Sequence, residues 1–107
     1  MNLFHVISDK VNRALAALAE EGALPPEMEM KNVSVEPPRD PAHGDVTTNA
    51  AMVLAKQTKK PPRELAQLIA EKLEGDADLA TVEIAGPGFI NMRLSPAFRG
   101  RVMASIL

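Results

Sequence analysis

The chain has 107 residues, enough for a single domain, and its 46% hydrophobic content can supply one core. Twelve Lys and Arg stand against fourteen Asp and Glu, and the resulting net charge of −2 argues against binding nucleic acid through overall positive charge. All three aromatic residues are Phe, which disfavours modules that stack several bases on Tyr and Trp. The absence of Cys excludes disulfides, Cys-ligated zinc and thiol chemistry.

The first third of the chain predicts a helix followed by two short strands. An apolar stripe with spacings of three and four predicts an amphipathic helix that Gly22 ends. Its members are Leu3, Phe4, Ile7, Val11, Leu15 and Leu18. Residues 33–36 alternate between Val and polar side chains until Pro37 and Pro38 stop the strand, and residues 45–48 predict a second strand.

Two helices are predicted in the middle of the chain. The first covers residues 50–58, and Thr47, Thr48 or Asn49 could cap it. Proline lacks the amide that a helix interior needs, so Pro61-Pro62 must separate this helix from the next one, which Pro62 opens and Gly75 terminates.

The last third predicts a β-hairpin and a final helix. Strands over 81–84 and 89–94 flank Gly86-Pro87-Gly88, where Pro87 suits the second position of a type II turn and Gly88 the third. Ser95-Pro96 is predicted to open a helix with Phe98, Val102 and Ile106 on one stripe. No stop signal follows Leu107, so we expect the natural chain to continue.

Together these elements predict an α+β fold, a two-layer sandwich of order α-β-β-α-β-β with an antiparallel sheet and a C-terminal helix. The longest apolar run, residues 50–55, is far below the ~20 residues of a membrane-spanning helix, and no signal peptide is recognisable. We therefore expect a cytoplasmic protein without membrane contact, and we expect a monomer.

The strand over 89–94 carries the first candidate site. Side chains alternate along a strand, so Ile90, Met92 and Leu94 form the core row. Phe89, Asn91 and Arg93 form the other row, which combines a ring that can stack on a base, an amide that can read its edge and a cation that can hold a phosphate. The alternative is that Phe89 packs under the last helix while Asn91 and Arg93 are solvated.

Charge is distributed in blocks along the chain. The net charge is −3 over residues 1–30, +3 over 31–63, −5 over 64–83 and +3 over 84–107. The second basic candidate is the cluster Lys56, Lys59, Lys60 and Arg63 around the proline break. It could contact phosphates or be a solvated helix junction, and only the fold decides whether it adjoins the strand of Phe89.

Other constellations give weak signals. Asp40, His43 and Asp45 could hold a metal, but three ligands in one loop without a second His nearby are poor grounds for a site, and we predict none. No Ser/His/Asp set or paired acid and base is indicated. We therefore expect no catalytic site in this chain.

Two motifs in combination resemble a known family. The run Val82-Glu83-Ile84-Ala85-Gly86-Pro87-Gly88-Phe89-Ile90-Asn91-Met92-Arg93-Leu94, preceded by His43-Gly44-Asp45-Val46-Thr47-Thr48-Asn49-Ala50-Ala51-Met52-Val53-Leu54-Ala55-Lys56, is similar to the N-terminal additional domain of arginyl-tRNA synthetases. The likeness extends over essentially the whole chain, including Pro62-Arg63-Glu64-Leu65-Ala66. The chain departs from the family at His43 and Val46, where aromatics are frequent, which weighs against stacking by that loop.

The resemblance implies a domain, here residues 1–107, that docks on the outer corner of an arginine-accepting tRNA and contacts its D-loop. It implies that Phe89 and Asn91 meet a D-loop base, and we expect Arg93, Lys56, Lys59 and Lys60 to contact phosphates. The signatures His-Ile-Gly-His and Lys-Met-Ser-Lys are absent. The resemblance therefore places ATP, arginine and catalysis in a catalytic domain of the same chain that is missing here, with no cofactor in this domain.

Two other functions stay open. A protein-interaction domain could dock through the stripe of Phe98, Val102 and Ile106, and it would not bind tRNA. A small-molecule-binding regulatory domain would bind its ligand with little dependence on salt, whereas phosphate contacts weaken as salt rises.

Overall fold

The computed structural model describes residues 3–25 and 27–106, with the side chains of residues 41 and 102–106 excluded. It contains four helices and a four-stranded sheet in the order that the sequence predicts. In chain order the elements are α1 (Leu3–Glu20), β1 (Val35–Glu36), a short 3-10 helix (Pro41–His43), β2 (Val46–Thr48), α2 (Ala50–Thr58), α3 (Pro62–Leu73), β3 (Leu79–Ala85), β4 (Phe89–Leu94) and α4 (Pro96–Ile106).

The sheet is antiparallel, with strand order β1-β2-β4-β3. Chain neighbours β1 and β2 pair at one edge and the hairpin β3-β4 at the other, while β2 and β4 join the two halves in the centre. The predicted α+β fold with an antiparallel sheet is therefore confirmed. β1 is shorter than expected, because the Val33 amide closes a turn with the Met30 carbonyl and the Ser34 amide bonds to the Asn49 side chain.

The core lies between one face of the sheet and the helices. Ile90, Met92 and Leu94 of β4 face it, as their alternation predicts. Its other principal members are Ile7, Val11, Leu15, Leu18, Val46, Leu54, Leu65, Ile69, Leu73 and Phe98. The opposite face of the sheet, which bears the second row of β4, is the one that can meet a partner.

Helix ends follow the local sequence closely. Gly22 has φ +81 beyond the end of α1, and the amides of Gly22 and Ala23 bond to the carbonyls of Ala19 and Leu18, which is the Schellman arrangement. At the start of α2, Asn49 occupies the N-cap position but makes no side-chain cap bond. The Asn49 side chain instead donates to the Asn32 carbonyl and accepts the Ser34 amide. Thr48 Oγ1 accepts the Ala50 amide at 3.2 Å.

The hairpin turn is displaced by one residue from the predicted one. The Gly88 amide donates to the Ala85 carbonyl at 3.3 Å, so Gly86 and Pro87 are the central residues. Gly86 has φ +55, and a positive φ followed by the negative φ of proline belongs to a type II′ turn, the form that matches strand twist. Gly88 has the expected positive φ, +150, but beyond the turn's centre.

α4 packs beside a partly buried ion cluster formed by Lys10, Asp76 and Asp78. Ser95 Oγ caps the helix by accepting the Phe98 amide at 3.1 Å, as predicted, and Phe98 is 1% exposed. The Lys10 ammonium, 5.9 Å from the centroid of the Phe98 ring, pairs with Asp76 at 2.7 Å and Asp78 at 3.0 Å. Phe98 therefore cannot belong to an exposed docking stripe, while the side chains of Val102 and Ile106 lie outside the described residues.

No described helix is both long enough and apolar enough to cross a membrane.

Candidate nucleic-acid interface

The open face of the sheet carries the predicted polar row. Phe89, Asn91 and Arg93 alternate with the core residues of β4 and lie on the face away from α1–α3. Phe89 is 39% exposed, a high value for a phenylalanine, and Arg93 is partly exposed. This exposure does not fit the alternative in which Phe89 packs under the last helix, where Phe98 is the buried ring.

Asn91 differs from the expectation of a solvated side chain. It is only 8% exposed, because β4 is a central strand and Thr47 and Glu83 flank Asn91 from the strands on either side. Among the described residues, its amide makes no hydrogen bond. No fully buried polar side-chain atom in this part of the chain lacks a partner, so the amide retains contact with solvent. Asn91 is thus a confined amide with unused donors and acceptor.

The position of Phe89 depends on the turn before it. A Cβ at Gly88 would lie 3.0 Å from Pro62 Cβ and 3.2 Å from Met52 Cγ, so the turn packs directly on α2 and the start of α3. A Cβ at Gly86 would lie 3.8 Å from a ring carbon of Phe89. Glycine is required at 88 by both the contact and the positive φ, and this packing positions the backbone directly before Phe89.

The basic cluster of the α2–α3 junction adjoins this turn. Arg63 Nη1 donates to the Gly86 carbonyl at 2.5 Å, which joins the two segments. Lys56 and Lys59 are exposed and Lys60 is partly exposed; Lys59 takes a left-handed conformation, φ 57, where α2 ends. The fold therefore places the α2–α3 junction, which ends the basic stretch 31–63, against the hairpin turn, which lies in the basic stretch 84–107. The sequence alone did not decide whether these two stretches are neighbours.

Arg63 belongs to the basic cluster but is not among the residues predicted to contact RNA. Its contact with the Gly86 carbonyl makes it the link between the junction and the turn. Its only sequence signal was its position in the cluster, because a contact across 23 residues depends on the packing of α3 beside the hairpin.

Arg93 lies at the other end of the row and is partly engaged. Its guanidinium donates to the Ala42 carbonyl in the loop before β2. The same loop approaches β4 so closely that a Cβ at Gly44, φ +132, would lie 2.8 Å from the Met92 carbonyl oxygen. Asp45 Oδ2 accepts the Leu94 amide and pairs with Arg99 at 2.6 Å. This loop fixes the end of the strand that bears the candidate site.

Two of the three residues considered as metal ligands in this loop, Asp40 and Asp45, make contacts with other residues. Asp45 is committed to Leu94 and Arg99, and Asp40 Oδ1 accepts the Ala42 amide at 2.9 Å. Within the described ranges, no three His, Asp or Glu side chains are grouped as metal ligands would be. A surface groove on α1, lined by Asp9, Asn12, Arg13 and Ala16, contains none of the candidate residues.

Comparison with known proteins identifies the family. The family model described as arginyl tRNA synthetase N terminal domain matches residues 5–94. The chain belongs to this family. It is 55% identical over 98 residues to an arginine–tRNA ligase of Parvibaculum lavamentivorans, covering 92% of the chain and 17% of the relative. It is 51% identical over 107 residues to that of Cereibacter sphaeroides, covering 100% of the chain and 18% of the relative.

Two solved structures share the fold of this arginyl-tRNA synthetase N-terminal domain. The arginyl-tRNA synthetase of Plasmodium falciparum aligns with a TM-score of 0.71 at 13% identity, over 90% of this chain and 16% of that one. The enzyme of Thermus thermophilus aligns with a TM-score of 0.64 at 23% identity, over 88% of this chain and 14% of that one. The chain therefore spans less than a fifth of its relatives' length and matches their N-terminal portion.

Proposed function

We propose that this domain binds the D-loop at the outer corner of an arginine-accepting tRNA on behalf of an arginine–tRNA ligase. The catalytic part of that ligase would use ATP and arginine, and the domain described here would contribute recognition alone. The observation that carries the proposal is the pair formed by exposed Phe89 and the Asn91 amide, which has no hydrogen-bonding partner among the described residues.

The proposed roles follow from the chemistry of each side chain. Phe89 stacks on an unpaired base, and replacing such an aromatic residue by alanine typically costs ~1–3 kcal/mol of binding free energy per base. Asn91 lies two residues further along the same face, where its amide can bond to the edge of that base. Asn91 is only 8% exposed, so a bound base would displace the little water that reaches the amide, and its hydrogen bond to the base edge would be stronger than on an open surface.

Phosphates would lie on the basic residues around the stacked base. Lys56, Lys59 and Lys60 belong to the junction that contacts the turn before Phe89, and Arg93 lies at the other end of the row. Arg93 retains further N–H donors besides the one given to Ala42. One stacked base and a few phosphate contacts amount to weak binding by the isolated domain. Each phosphate contact also makes the affinity fall as the salt concentration rises.

Within the ligase, tethering to the catalytic domain compensates for this weak affinity. A second contact on the same tRNA becomes intramolecular, with an effective concentration up to the millimolar range for short linkers. We therefore expect substitutions in the domain to act on arginylation mainly through KM.

The test compares Phe89→Ala and Asn91→Ala with Phe4→Ala, in the 107-residue chain and in the ligase. Phe4 is a matched control, because it is 37% exposed but lies on α1. We expect Phe89→Ala to weaken tRNA binding by about 5- to 150-fold and to raise KM, Asn91→Ala to act in the same direction, and Phe4→Ala to change neither. Equal effects of Phe4→Ala and Phe89→Ala, or no effect of either site variant in the ligase, would contradict the proposal.

A second arm locates the contact on the RNA. D-loop nucleotides of the tRNA transcript are made abasic one at a time, and Kd is measured for the unsubstituted domain and for Phe89→Ala. At the nucleotide that stacks on Phe89, removing the base should abolish the difference between the two proteins. If no D-loop position has this property, the assignment to the D-loop is wrong.

A further inference from the structure

A polar row crosses the open face of the sheet through Asn91. Glu83 of β3 lies opposite Asn91, and Thr47 of β2 lies opposite it on the other side. Glu36 of β1 continues the row beyond Thr47. Opposed residues of an antiparallel pair share a face, with Cβ atoms about 4.5–5.5 Å apart. The confined amide therefore has a carboxylate as its immediate neighbour.

The Glu83 carboxylate is available for a ligand. It is exposed on an edge strand, and in the described part of the chain no Lys or Arg forms an ion pair with it. A carboxylate is negatively charged and therefore repels a phosphate. Because it only accepts hydrogen bonds, it attracts an N–H group. The basic side chains proposed to contact phosphates lie at the α2–α3 junction beside the turn and at Arg93, and in the described part of the chain none of them pairs with Glu83.

With a single hydrogen bond, Asn91 discriminates poorly between bases. Its side chain offers both a carbonyl oxygen and an NH₂ group, and rotation of the amide adapts it to an edge that donates or to one that accepts. Glu83 has no such freedom. A base with an exocyclic amino group beside Glu83 gains a charge-assisted hydrogen bond, whereas a base with a carbonyl there meets a second acceptor.

We propose that Glu83 is a specificity-determining residue, which accepts a hydrogen bond from the exocyclic amino group of the RNA base stacked on Phe89. This inference rests on the proposed function, because it requires that a base occupies the face between Phe89 and Asn91. It adds a chemical class for that base, one that carries an amino group, and a residue that selects it.

The experiment is a double-substitution cycle in the complete ligase. The tRNA transcripts carry, at the nucleotide whose removal abolishes the effect of Phe89→Ala, either an amino-bearing base or the same base with hydrogen in place of the amino group. For each transcript, kcat/KM of arginylation and Kd are measured with the unsubstituted ligase, with Glu83→Ala and with Glu20→Ala. Glu20 is the control, since it is an exposed glutamate at the end of α1 whose removal changes the net charge equally.

We expect deletion of the amino group to lower kcat/KM of the unsubstituted ligase about 10-fold or more. With Glu83→Ala the same deletion should change kcat/KM less than about 2-fold, while Glu20→Ala should retain the full penalty. An unchanged penalty in Glu83→Ala, or indifference of the unsubstituted ligase to the amino group, overturns the role of Glu83. If Phe89→Ala has no effect with any transcript, the proposed function itself is wrong, so the two failures are distinguishable.

Discussion

Replacement of Lys10 by methionine should destabilise the domain far more than replacement of an exposed lysine. Lys10 is 8% exposed and pairs with two carboxylates, Asp76 at 2.7 Å and Asp78 at 3.0 Å, which connect α1 to the loop before β3. Removal of one partner from a buried pair costs about 3–5 kcal/mol. Because the two carboxylates keep 26% and 29% of their exposure, we expect Lys10→Met to lower the free energy of unfolding by about 2–3 kcal/mol.

The control for this variant is Lys72→Met. Lys72 also forms an ion pair, with Glu21, but the two side chains are 34% and 52% exposed, and such pairs contribute at most about 1 kcal/mol. Urea unfolding followed by far-UV circular dichroism is the suitable assay, since the chain has no Trp or Tyr for fluorescence. Equal losses in the two lysine variants would refute the argument that burial determines the strength of the Lys10 cluster.

The pH dependence provides an independent check of the same cluster. The hydrogen bond from Lys10, with a smaller contribution from Arg101, holds the pKa of Asp78 below its ordinary value of 3.8, although burial opposes this. Burial alone would lower the pKa of Lys10, but its bonds to Asp76 and Asp78 outweigh burial and raise the pKa above 10.5.

The stabilisation from Asp78 is therefore complete above pH 3.8 and is lost as the pH falls below that value. The stabilisation from Lys10 is complete below pH 10.5 and is lost as the pH rises above it. The difference between the unsubstituted domain and Lys10→Met should consequently be greatest between these limits and shrink in acid. A difference that stays constant down to pH 2 or so would contradict this assignment.

Two further predictions concern the loop and turn that hold β4. Gly44→Ala places a Cβ 2.8 Å from a backbone oxygen at φ +132 and should destabilise the domain by about 2 kcal/mol or more in urea unfolding, whereas Gly75→Ala, with no atom within 4 Å, should be neutral or slightly stabilising. Arg63→Ala and Phe89→Ala should be non-additive in tRNA binding by at least about 0.5 kcal/mol, because Arg63 holds the turn before the ring. Lys56 forms no hydrogen bond or ion pair with that turn in the described structure, so Lys56→Ala should be additive with Phe89→Ala; additivity of Arg63→Ala as well would rule out the positioning role of Arg63.

The elements themselves are predictable because their signals are local. The stripe of α1, the proline that opens α3 and the positive φ of Gly22 depend on residues within a turn or two of one another. Alternation along β4 likewise separates Phe89 from the core row without knowledge of any neighbouring strand. These features, with the two motifs shared with arginyl-tRNA synthetases, were sufficient to predict the fold class and the family.

Errors appear where a local pattern admits two solutions. Gly86-Pro87-Gly88 fits a turn centred on Pro87 and Gly88 as well as one centred on Gly86 and Pro87. The second is adopted because its type II′ geometry follows the twist of β3 and β4 and lets Gly88 pack on Pro62. The choice depends on a contact with α3, which the turn sequence alone does not contain.

The sequence alone determined that Phe89, Asn91 and Arg93 share one face of a strand, because a side-chain period of two requires no partner. Only the tertiary structure decided what surrounds them. Thr47 and Glu83 enclose Asn91 because β2 and β3 pair on either side of β4, and Arg63 reaches Gly86 because α3 packs beside the hairpin. Such neighbours depend on strand register and packing between distant segments, so an overall net charge of −2 conceals a face that carries cations, a ring and a carboxylate that forms no ion pair with any described residue.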